Sequence, residues 1–136
     1  MMSERENVHL VQQVYAAFGR GNIAAILARL CDDVEWETPF AREAVPIGGR
    51  WRGHEEVVQF YAKIGEYLEF VQFEPREFIA QGDRVVVLGF SRIRVKPTGR
   101  TLESEWVMVW ALREGKVAKF REYADTAAAL VAFGRA

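Results

Sequence analysis

The sequence predicts an α+β fold in which a curved antiparallel sheet wraps around three N-terminal helices. Apolar residues recur at helical spacing up to Tyr67 and at every second position beyond it. Three turn signals, Gln81-Gly82-Asp83, Pro97-Thr98-Gly99 and Arg113-Glu114-Gly115, then divide the second half into four strands. Helices followed by a strand meander is the order of an α+β domain.

The first helix runs from Glu4 to Phe18, with Val8, Val11, Val14, Tyr15 and Phe18 on one face and Gly19 and Gly21 ending it. Asn22 caps a second, Ile23 to Leu30, whose apolar positions are Ile23, Ile26, Leu27 and Leu30. A short strand, Val34 to Thr38, stops at Pro39. Residues 40–53 carry one proline, three glycines and three arginines and read as a long loop. The third helix starts near His54, with Glu55 and Glu56 in the turn where the helix dipole favours acids. Val57, Val58, Phe60, Tyr61, Ile64 and Leu68 form its apolar stripe. Strands are expected at about 70–79, 84–95, 101–112 and 117–124.

Composition bounds the function. With 136 residues, half of them hydrophobic, the chain fits one compact domain over residues 1–136. Its 18 basic and 19 acidic residues leave a net charge of −1, so no excess field gathers nucleic acid or an anionic membrane. Cys31 is the one cysteine, read as a buried thiol, which suits a reducing compartment. The N-terminal stretch is charged where a signal peptide needs its apolar centre, and no apolar run approaches membrane-spanning length. A soluble cytoplasmic protein is expected. His9 and His54 fit no metal-ligand spacing, so no metal and no cofactor is expected.

One residue breaks the pattern. In the last strand Ala118, Phe120, Glu122 and Ala124 share a face, and Lys119, Arg121, Tyr123 and Asp125 share the other. The second face is wet. The first is apolar except for Glu122. A carboxylate facing an apolar interior loses solvation, which raises its pKa toward the range useful for a general acid or base. A glutamate paired with an arginine at the strand end is the plainer alternative.

Three stretches carry a family resemblance: YAAFGRGNIAAILARLCDDVEWETP at 15–39, RGHEEVVQFY at 52–61 and PTGRTLESEWVMVWALREGKVAKFREYAD at 97–125. In order and spacing they resemble the nuclear transport factor 2-like superfamily, which includes ketosteroid isomerases, SnoaL-like polyketide cyclases and limonene-epoxide hydrolases. The resemblance implies a cone-shaped sheet closed by helices, with a ligand pocket on its concave side. It also permits residue-by-residue tests. Ketosteroid isomerases place a base, an oxyanion tyrosine and a protonated aspartate where this chain has Thr38, Val14 and Met108, so that chemistry is not expected. Epoxide hydrolases place an arginine and an aspartate at Gly89 and Ser91. Their second aspartate falls at Glu122, in Phe120-Arg121-Glu122-Tyr123, and SnoaL-like cyclases resemble this placement too.

The resemblance sets Ser104, Trp106, Met108 and Trp110 on the inner face of the cone, with Trp36, Phe60, Ile93 and Phe120 as neighbours. Such a row reads either as core or as an aromatic wall for a flat organic ligand. Tyr15, Thr38 and Ser91 are candidate hydrogen-bonding groups for that ligand, and only one of Trp36 and Glu37 can share the face of Thr38. The expected partner is a small hydrophobic molecule. The expected function is acid/base chemistry through Glu122, whether isomerisation, cyclisation or hydrolysis; the alternative is a non-catalytic pocket or assembly module. Outward positions Val107, Val109 and Ala111 are apolar on a central strand, as in relatives that resemble this chain and pair through that face, so a homodimer is expected.

Overall fold

The computed structural model describes residues 2–136. Helix α1 (Glu4–Gly19) opens with a capping box: the Ser3 hydroxyl accepts from the Glu6 amide, and the Glu6 carboxylate accepts from the Ser3 amide. Helix α2 (Ile23–Leu27) is shorter than its apolar pattern suggests. Asn22 caps it as expected, but Leu30 leaves the helix to begin strand β1 (Leu30–Thr38), where it pairs with Val117. Part of the expected loop is a strand, β2 (Gly49–Arg52), which sets Trp51 opposite Trp36. Helix α3 (Gly53–Tyr67) follows, and then the meander: β3 (Leu68–Gln81), β4 (Arg84–Val95), β5 (Thr101–Arg113) and β6 (Lys116–Tyr123).

The strands form one six-stranded sheet in the order β2-β1-β6-β5-β4-β3. Every pairing is antiparallel except β1 with β6, which is parallel because the chain crosses from one side of the sheet to the other between them. The three N-terminal helices lie where the sequence puts them. A fourth, α4 (Thr126–Ala132), was not expected; the Asp125 carboxylate caps it by accepting from the Ala128 amide. Its docking is specific. Ala129 and Ala132 are buried, the Thr98 hydroxyl donates to the Ala132 carbonyl at 2.6 Å, and Arg100 donates to that of Val131 at 2.6 Å.

The concave face and the helices enclose a core rich in aromatic rings. Trp36 stacks on Phe120 with centroids 4.1 Å apart, and Trp106 stacks on Phe73 at 5.3 Å. Gly89 makes room for Trp106: a methyl group there would overlap the indole ring and come within 2.7 Å of the Glu74 carbonyl oxygen. The ring cannot yield, because it is packed against Phe73 and its Nε1 donates to Ser91 at 2.7 Å. Gly89→Ala should therefore lower stability by about 1–3 kcal/mol through overpacking, measured as a drop in the urea midpoint. An unchanged midpoint would show that the Trp106 ring is loosely held.

Candidate functional site

The cone encloses a cavity of about 100 Å³, room for several water molecules or one small ring compound. It lies between the concave face of β3–β6, helices α1 and α3, the segment before β2 and helix α4. Phe40, Val45 and Ile47 from that segment line it. Arg50 and Arg52 face Glu37 and Glu35 on the outer side of the sheet.

Strand alternation sets the wall. On β5, Trp106, Met108 and Trp110 point inward with Ser104; on β6, Phe120 and Glu122 do. On β1 the inward residue is Trp36, while Glu37 pairs outward with Arg50 and Arg121. Phe60, Ser91, Ile93 and Tyr15 also reach the cavity. Tyr15 turns inward: its hydroxyl accepts from Trp110 Nε1 at 3.1 Å and donates to Met108 Sδ at 3.1 Å. Ser91 reaches the wall, but its hydroxyl is the acceptor for Trp106.

Two expectations need correcting. Thr38 does not line the cavity: it is buried, and its hydroxyl donates to the Ile47 carbonyl at 2.6 Å, fastening the segment before β2 to β1. Asp125, expected on the wet face, borders the cavity because the strand ends at Tyr123 and the chain turns in to cap α4. The histidines serve local structure. His9 Nε2 lies 2.9 Å from Gln13 Nε2, and His54 Nε2 lies 3.0 Å from the Leu30 carbonyl oxygen.

Glu122 is the chemical anomaly of the wall. No hydrogen bond or ion pair reaches its carboxylate among the described residues, and Met108 is its cross-strand neighbour. It retains partial exposure because it borders empty space, yet it lies deep in the fold. Desolvation pushes its pKa up to about 7. Near neutrality it is thus poised between a carboxylate that takes a proton and an acid that gives one.

Tyr61, on the apolar stripe of α3, is a site residue that the sequence pattern does not single out. Its ring lies 5.1 Å from Phe60 and 5.9 Å from Trp36, and it lines the same cavity. Burial, and then the nearby Glu122, hold its hydroxyl well above the usual tyrosine range, so it keeps its proton. Burial likewise raises Tyr15, against the hydrogen bond from Trp110. The one sequence signal for Tyr61 was a polar tip on an otherwise apolar stripe.

Fold and site together define a protein of the cone-shaped α+β class, with the Glu122 carboxylate set in the aromatic wall of an internal cavity. Residues 11–120 match the SnoaL-like domain, and the chain belongs to that family. It is similar over 98% of its length to 99% of an NTF2-like protein from Burkholderia xenovorans LB400, at 42% identity and a TM-score of 0.90. It is also similar to TerC co-crystallized with polyporic acid, at 32% identity and a TM-score of 0.84, over 95% of this chain and 98% of that one. An uncharacterized protein of Mycobacterium tuberculosis is 25% identical over 128 residues, 93% of this chain and 95% of the relative.

Proposed function

We propose that the protein is an acid/base enzyme acting on a hydrophobic ring compound held in the cone, with Glu122 moving the proton. The carrying observation is an unpaired carboxylate, pushed up to about pH 7, on the wall of an aromatic cavity. The reaction this supports is abstraction of a proton from carbon beside a carbonyl. Glu122 takes the proton, the C–H electron pair moves into the enolate, and the carbonyl oxygen gains the charge. Return of the proton to the same carbon gives exchange with solvent, and return to another carbon gives an isomer.

The structure of TerC with polyporic acid makes that compound a natural first probe. Trp36, Trp106 and Trp110 all border the cavity, so binding should change tryptophan emission. An acid entering beside Glu122 should bind best while Glu122 is neutral. The other titratable groups facing the space are Tyr15 and Tyr61, which keep their protons, and Asp125, whose carboxylate accepts from the Ala128 amide. Affinity should therefore fall as pH rises through about 7. An emission titration at pH 6 and pH 8 on the order of the pKa's two sides checks this; equal affinity would mean that the ligand does not meet Glu122.

We further propose that the active form is a homodimer paired through the convex face of the sheet. There Val86, Leu88, Phe90, Val107 and Val109 are half-buried, and Ile79 and Tyr123 are 47% and 46% exposed. Register joins them into one patch: Ile79, Val86 and Val109 lie in one row across the strands, and Leu88, Val107 and Tyr123 in the next. A second copy is the occupant that the flanking charges suit. Arg84 and Lys119 lie beyond one end of the patch along the strands, and Glu74 and Glu105 lie at the other. A twofold axis crossing the strands lays each basic end on the partner's acidic end.

A further inference from the structure

We propose that Tyr61 selects the ligand: its hydroxyl donates a hydrogen bond to a carbonyl oxygen carried by an aromatic ring compound, whose adjacent carbon then faces Glu122. This rests on the acid/base reading of Glu122 and adds to it a substrate class and the group that recognises it.

The inference comes from matching donors to acceptors along the wall. Tyr15 is engaged by Trp110 and Met108, and Ser91 by Trp106. Ser104 donates to the Glu105 carbonyl and accepts from the Asp125 amide, and Asp125 caps α4. What remains is the Glu122 carboxylate and three donors, one of them the Ser91 O–H, which donates to no described group although its oxygen accepts from Trp106. No hydrogen bond reaches the Tyr61 hydroxyl among the described residues, and the Trp36 indole N–H is buried with no acceptor. A donor facing an apolar cavity without a partner is costly, and native interiors rarely leave one unexplained. A ligand oxygen explains the Tyr61 hydroxyl, which borders the cavity, whereas the Trp36 N–H is sealed within the core.

Tyr61, Trp36 and Glu122 sit together. Tyr61 packs 5.9 Å from Trp36, Trp36 stacks on Phe120, and Glu122 follows Phe120 by one inward step on β6. A hydrocarbon would fill the aromatic wall and leave the Tyr61 hydroxyl unpaired. A carbonyl oxygen satisfies it, and its growing negative charge on enolate formation strengthens the bond from Tyr61. Because Tyr61 keeps its proton, it remains a donor whichever state Glu122 adopts.

Two probes sharing one skeleton test this: β-tetralone, a bicyclic aromatic ketone, and tetralin, which lacks only the carbonyl. Wild-type protein should bind the ketone about tenfold more tightly or better, the worth of one good buried hydrogen bond. Tyr61→Phe should erase that preference while leaving tetralin affinity and the melting temperature unchanged. A preference that survives in Tyr61→Phe overturns the assignment yet leaves Glu122 as acid or base untouched. Equal loss for both probes makes Tyr61 a piece of wall and also overturns it, as does a wild type that binds both equally. A cavity that binds neither compound overturns this inference together with the reading beneath it.

Discussion

Glu122→Gln should slow proton exchange at the carbon beside the carbonyl of β-tetralone by about 10²–10⁴-fold, the usual contribution of a positioned acid or base. The amide keeps the size and hydrogen-bonding reach of the side chain and removes the titrating proton. Deuterium uptake from heavy water, followed by proton NMR, measures it directly. Exchange that proceeds equally well in the variant would remove Glu122 from the mechanism. A wild type that binds the ketone and exchanges nothing would make the protein a binder.

The same substitution should strengthen the fold, and the sign follows from the pKa. Below about pH 4.5 the Glu122 carboxyl is neutral in both the folded and the unfolded chain, so it has no differential effect. Between there and about pH 7 the unfolded chain ionises while the folded one holds its proton, so stability falls as pH rises. Above that window the full cost is present, about 3 kcal/mol at roughly 1.4 kcal/mol per pKa unit. Glu122→Gln should thus be the more stable protein at pH 8, and the advantage should vanish toward about pH 4. A gain in stability coupled to a loss of exchange is the signature of a group kept in a hostile setting for its chemistry.

The residues of the wall were readable in sequence because strands alternate. Trp106, Met108 and Trp110 had to share a face, as did Phe120 and Glu122, and the structure sets both rows on the cavity. What escaped depends on contacts between distant segments. Thr38 sits on the correct face, but Ile47 reaches it from a segment with no readable register and takes its hydroxyl. Strand β2 was hidden in a glycine-rich stretch, and its partner β1 is only found by folding. The parallel pairing of β1 with β6 joins segments separated by most of the chain, which no local pattern encodes. Helix α4 has only seven residues, too few to declare itself by periodicity. It stands because Thr98 and Arg100 hold its C-terminal carbonyls and Asp125 its first turn. Of these, Asp125 before an alanine run was the one legible signal. Tyr61 was invisible for a different reason: on a helix stripe nothing separates a tyrosine whose hydroxyl is satisfied from one left waiting.

Val107→Glu should turn the dimer into a monomer. Val107 lies in the middle row of the convex apolar patch, between Leu88 and Tyr123, so an axis crossing the strands there brings the two copies of residue 107 close together. Two carboxylates would then meet in a contact that excludes water. Like charges opposed across an interface cost several kcal/mol, so association should weaken about a thousandfold or more. The strand should keep its place, because its inward residues Trp106 and Met108 are untouched and position 107 itself is half-buried on the outer side. Sedimentation velocity at micromolar concentration separates the outcomes. Wild type sedimenting as a monomer would defeat the dimer altogether, and a dimer unmoved by Val107→Glu would shift the contact to another face. Reversing the polar ends supplies a second check on the direction of the axis. Arg84→Glu puts an acid where the partner's acidic end should lie and ought to weaken the dimer, whereas an axis along the strands would lay basic end on basic end, and the same change would not weaken it.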